Sequence, residues 1–164
     1  MNKKDLKKLF KEQFIELLID VSKLNKENNA YIESKLNLDF DKLYKLSCKK
    51  IDKALCCYEF MSLRDARKVI INFKKAKPTN TQLIDLCLYY IERAYDLEKS
   101  DWRFKENFYS AIEKIYIIIF DILNKDTLLK SKFDVKINLL INEATESFGH
   151  KDWLKDHYEI QKQF

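Results

Sequence analysis

Apolar residues recur along this chain at spacings of three and four almost from end to end, the period of helices with one face turned inward. From about Lys3 to Leu24, the residues Leu6, Phe10, Phe14, Leu17, Leu18 and Val21 fall on one stripe, and the polar run Asn25–Asn29 predicts a break. A second helix follows through Leu36. Asp39 is a candidate N-cap for a third, about Phe40–Tyr58, which turns Leu43, Leu46, Ile51 and Leu55 inward. Ser62 caps the next helix, with Asp65 as an acidic variant of the capping-box partner, and Leu63, Ala66, Ile70 and Phe73 lie at core spacing. Pro78 stops that helix near Lys77. Thr79 or Thr81 then caps a helix over about Leu83–Leu97.

The segment from about Phe104 to Leu123 is apolar almost all round, as a helix enclosed by neighbours must be. Its run Ile115–Phe120 is also β-prone, but the flanking helical period and its length favour a central helix over a strand. Two helices, about Leu128–Phe148 and Lys151–Gln163, close the chain, with Gly149 as the expected left-handed C′ residue between them. The expected fold is all-α, a single domain over residues 1–164 with seven to eight short helices. These form a compact bundle or stacked helical pairs, and the lack of an internal repeat favours the bundle.

Composition sharpens this. The chain has one Gly and one Pro, too few for the turns of an all-β fold or for the glycine-rich loops that cradle nucleotide phosphates. Its apolar runs fall short of a membrane span, so no membrane partner is expected. The N-terminal stretch is charged and unlike a secretory leader, which makes the cytoplasm the expected location. Cys48, Cys56, Cys57 and Cys87 then read as reduced, buried structural thiols; on a helix Cys56 and Cys57 would point about 100° apart, which suits no shared metal.

A search for catalytic chemistry returns mostly exclusions. His150 and His157 read as solvated surface residues, and Glu-x-x-His and His-Glu-x-x-His are absent. No Arg has a His five residues on, which removes a class of small helical ribonucleases. Acidic pairs such as Asp85 with Glu92, or Glu113 with Asp121, could serve as acid and base only if a groove brought them together. No metal or cofactor is expected.

The charge is unevenly spread. The net charge is +5, yet residues 42–77 alone hold eleven Lys and Arg against three acids. Arg64, Arg67, Lys68, Lys74 and Lys75 recur along one helix face and are the candidate binding residues. Tyr89 and Arg93, four apart, form a second candidate patch.

The stretch 62–75, SLRDARKVIINFKK, resembles a Ser-x-x-x-Ala-Arg/Lys-Lys-x-Ile-x-x-Phe-Lys-Lys pattern. Residues 83–92, 107–113 and the start 5–13 resemble segments of the same family, a group of small bacterial all-helical proteins classed as a domain of unknown function. The resemblance implies a bacterial helical domain and no particular activity. Where that family carries a basic, Pro-containing stretch, this chain has CCYEFM at 56–61, which weakens any inference to nucleic acid. The leading expectation is a non-enzymatic interaction or adaptor module whose basic face meets an acidic protein partner. The alternatives are a nucleic-acid-binding accessory protein using helix 62–77 and, ranked last, a carboxylate enzyme with its site between helices.

Overall fold

The computed structural model describes residues 10–36, 40–101 and 103–162. The expected start of the first helix, with Leu6, the Asp39 cap and the end of the last helix at Gln163 lie outside the described residues. Eight α-helices account for most of the rest: α1 Lys11–Leu24, α2 Lys26–Leu36, α3 Phe40–Ala54, α4 Leu63–Lys75, α5 Asn80–Ser100, α6 Glu106–Leu123, α7 Thr127–Glu143 and α8 His150–Lys162. Short 3₁₀ turns occupy Tyr58–Phe60 and Ser147–Gly149, and no strand occurs among the described residues. No helix among them is long and apolar enough to cross a membrane.

The chain divides into two compact units, residues 1–46 and 47–164. In the first, α1 and α2 pack on each other across a much shorter break than the polar run 25–29 suggests. Asn25 alone interrupts the helix: its backbone is extended, and its side-chain oxygen accepts from the Asn28 amide at 2.8 Å. Asn28 then donates to the Val21 carbonyl at 3.1 Å, so most of the run expected as a break caps one helix and begins the next.

The second unit is built around α6, which packs against α4, α5, α7 and α8. Ile112, Ile115, Tyr116 and Ile119 of α6 are fully enclosed, and the helices around it bury Ile70 and Phe73 of α4, Ile84, Leu88 and Ile91 of α5, Ile137 of α7 and Leu154 of α8. Each such side chain contributes about 1.5–3 kcal/mol through burial. The long apolar segment is helix, as its length and flanking period predict.

Several helix ends differ from the sequence expectation. Helix α3 stops at Ala54, and the chain turns so that Cys56 is exposed and Cys48 and Cys57 are half-buried; of the four cysteines only Cys87 is buried as expected. The loop closes where the Ser62 amide donates to the Ala54 carbonyl at 2.8 Å. Helix α7 ends at Glu143, and Gly149 is no C′ residue of it: Phe148 and Gly149, both at positive φ, turn the chain directly into α8.

The loop 55–61 is held from outside by Arg103. Its guanidinium lies 4.4 Å from the centre of the Tyr58 ring, donates to Glu59 at 2.8 Å and binds Asp101, while Tyr58 meets the Phe104 ring edge-on. Hydrogen bonds from Arg103 hold both Glu59 and Asp101 below the ordinary carboxylate range. A carboxylate whose pKa falls on folding stabilises the fold above its unfolded pKa, about 4, and loses that contribution as pH falls through the folded value. Amide protection of residues 57–61 should therefore decline as pH falls below about 4, and R103A should show the unprotected loop already near neutrality. Wild-type protection in R103A, measured by hydrogen exchange, would rule this anchor out.

Lys77 follows α4 with φ of 60°, donating from its amide to the Lys74 carbonyl at 3.0 Å. A left-handed conformation costs a side-chain-bearing residue about 1–2 kcal/mol, part of which glycine regains at the expense of unfolded-state entropy. K77G should add about 0.5–1 kcal/mol of stability, read in urea as a higher midpoint with an unchanged denaturant slope.

Candidate functional site: a cationic groove between α4 and α6

Helix α4 is oriented by its start and its inner face. Ser62 is the N-cap that the sequence predicts, accepting from the Asp65 amide at 3.2 Å; Asp65 does not complete a capping box, because the Ser62 amide donates to Ala54 and the Asp65 carboxylate accepts instead from the Ser62 hydroxyl at 2.8 Å. Ala66, Ile70 and Phe73 are buried, and this fixes the register so that Arg64, Arg67, Lys68 and Ile71 point outward. On α6 the buried stripe Phe108, Ile112 and Ile115 likewise leaves Asn107, Ala111 and Lys114 on the flank beside α4.

These two flanks enclose an open groove of about 460 Å³ lined by Leu63, Arg64, Arg67, Lys68, Ile71, Asn107, Ala111 and Lys114. Leu63, Ile71 and Ala111 supply apolar surface, four cations surround it, and no acid lines it. The chain's four arginines divide sharply. Arg93 binds Asp52 at 3.1 Å and Asp96 at 3.0 Å, and Arg103 binds Asp101 and Glu59. Arg64 and Arg67, with Lys68 and Lys114, have no ion pair among the described residues. Like charges gathered without counter-charges repel one another, so the arrangement favours an anionic ligand.

Of the sequence-predicted residues, Arg64, Arg67 and Lys68 come together here. Lys74 and Lys75 are exposed further along the same helix but do not line the groove. Tyr89 and Arg93 lie elsewhere and are engaged within the protein: the Tyr89 hydroxyl donates to Asp52 at 2.7 Å beside the Arg93–Asp52 pair, tying α3 to α5. Burial, then this hydrogen bond, pushes the Tyr89 hydroxyl up to about 12, so it remains a donor at neutral pH. Lys114 and Asn107, seven apart on α6, carry no sequence signal that ties them to α4.

A smaller groove of about 360 Å³ lies on the other side of α4, lined by Lys50, Lys53, Ala54, Phe60, Ser62, Asp65 and Val69. Neither groove holds a pair of carboxylates. Glu92 is ion-paired with Lys136 at 2.9 Å, and burial raises the pKa of Asp85 against the opposing charges of Lys136 and Lys132. Among the described residues no three His, Cys, Asp or Glu gather as a metal site would require.

The expectation for His150 is corrected outright. It has no exposed surface, because the turn at Phe148–Gly149 delivers the first residue of α8 into the core. Its Nδ1 lies 2.9 Å from Glu113 of α6 and its Nε2 3.1 Å from the Tyr95 hydroxyl of α5. With Nδ1–H donating to Glu113, the neutral tautomer accepts from Tyr95, whose oxygen lies 3.4 Å from that of Tyr116. Burial raises the pKa of both tyrosines and keeps them protonated. The order carboxylate, imidazole, hydroxyl is one that catalysts use, but here no substrate can reach the imidazole. The cluster locks three helices together.

No family model, no curated protein and no solved structure significantly matches this chain.

Proposed function

We propose that this protein is a non-enzymatic interaction module that binds an acidic, amphipathic segment of a partner protein along the groove between α4 and α6. The observation that carries this reading is the set of four cations, Arg64, Arg67, Lys68 and Lys114, around an apolar floor with no acid in the lining. Guanidinium groups fork onto carboxylates, while Leu63, Ile71 and Ala111 offer contact to an apolar side chain between them. From Leu63 to Ile71 the groove follows about two helical turns, enough for a short segment and not for a globular face.

The apolar floor favours this over nucleic acid. A phosphate backbone has nothing to place there, and no aromatic ring lines this groove for a base to stack on. Binding to a duplex through four cations would weaken with salt at a log–log slope of about −3 to −4. Fluorescence titration should show a labelled Glu/Leu amphipathic peptide binding more tightly than a random-sequence duplex, with a shallower salt dependence. Tighter duplex binding with the steep slope would replace this reading with the nucleic-acid one.

A further inference from the structure

Sequence spacing sets Cys56 and Cys57 apart on a helix, but the helix ends at Ala54 and the two sulfurs come to 3.8 Å from each other. Cys56 is exposed and Cys57 half-buried, so the pair is open to solvent. The loop that carries them is closed at its base by the Ser62–Ala54 hydrogen bond and held on its far side by Arg103, through Tyr58 and Glu59. Two thiols are thus presented side by side on an anchored turn.

The geometry selects what they can hold. Adjacent Cα atoms are about 3.8 Å apart, shorter than the roughly 4.4–6.8 Å of ordinary disulfides, so direct S–S closure would be strained. A single larger atom bridging both sulfurs relieves that strain. Zinc would need four ligands, and no third His, Cys, Asp or Glu completes a cluster among the described residues. The ligand must therefore be soft, to prefer thiolate sulfur, and must ask for two protein ligands only.

We propose that Cys56 and Cys57 form a chelating dithiol site for a trivalent, thiophilic arsenic centre of the mono-organyl class. With phenylarsine oxide as the probe, two As–S bonds form, two S–H bonds and the As=O bond break, and the oxygen leaves as water. Arsenic stays trivalent and no electrons are transferred. Cys87 is excluded by burial, which pushes its thiol up to about 12.

Intact-mass measurement of the reduced full chain with phenylarsine oxide should show one adduct per protein. The adduct should persist against a large excess of a monothiol and leave on addition of a small-molecule dithiol. C56S and C57S, each checked for wild-type helicity by circular dichroism, should hold the probe about a hundredfold or more weakly, as expected when a chelate becomes a single bond. A C48S/C87A variant, which keeps only the adjacent pair, should hold it as wild type does. Undiminished retention in C56S or C57S, or loss in C48S/C87A, would overturn the assignment.

Discussion

Replacing His150 with alanine should cost about 3–5 kcal/mol of stability and lower the midpoint of thermal unfolding by roughly 6–20 °C. The cost has three sources. A fully buried ring is removed and leaves a cavity flanked by Tyr95 and Tyr109, whose ring centres lie 6.1 and 5.3 Å from that of the imidazole. Glu113 loses its partner at 2.9 Å while only 19% exposed, so its charge is poorly rehydrated. The Tyr95 hydroxyl keeps only a long contact to Tyr116 at 3.4 Å. A cycle of H150A, E113A and the double variant separates these contributions; the double variant should recover part of the loss, because it no longer strands a carboxylate. A loss below about 1 kcal/mol in H150A, within the range of ordinary substitutions, would show that the cluster does not lock the helices.

The second large effect concerns binding and not folding. R64E/R67E/K114E should weaken binding of the acidic amphipathic peptide by about a hundredfold or more. Each reversal removes an attraction and adds a repulsion, together about 1 kcal/mol per site, and each factor of ten in affinity is 1.4 kcal/mol. All three side chains are exposed and unpaired among the described residues, so stability should move by no more than about 0.5 kcal/mol per site. The paired control is K74E/K75E, which lies on the same helix and outside the groove; its effect should be several-fold smaller. Equal losses in the two variants would mean that net charge, and not this groove, governs association.

These two sites were legible in the sequence to different degrees. The outward face of α4 could be read in full, because a local cap at Ser62 and the three–four spacing of Ala66, Ile70 and Phe73 leave only one face for the cations. Lys114 could not: its relevance depends on α6 lying beside α4, a tertiary fact with no local trace. The burial of His150 is hidden in the sequence for the same kind of reason. Next to Gly149 the residue resembles a frayed helix start, and the partners that justify its burial stand 37 and 55 residues away. Cys56 and Cys57 turned on a helix boundary. Ending α3 at Ala54 and not Tyr58 changes two divergent side chains into neighbours. Tyr89 and Arg93 were read as a pair on one face, and they are, but the acid they meet is Asp52 of this same chain.

The most direct test of the groove as the binding surface is a map of backbone amide shifts in the full chain as the Glu/Leu amphipathic peptide is titrated in. The account predicts that the largest changes fall on Leu63–Ile71 of α4 and Asn107–Lys114 of α6, the two flanks that converge on the groove. Changes centred on another face, or none at saturating peptide, would contradict it.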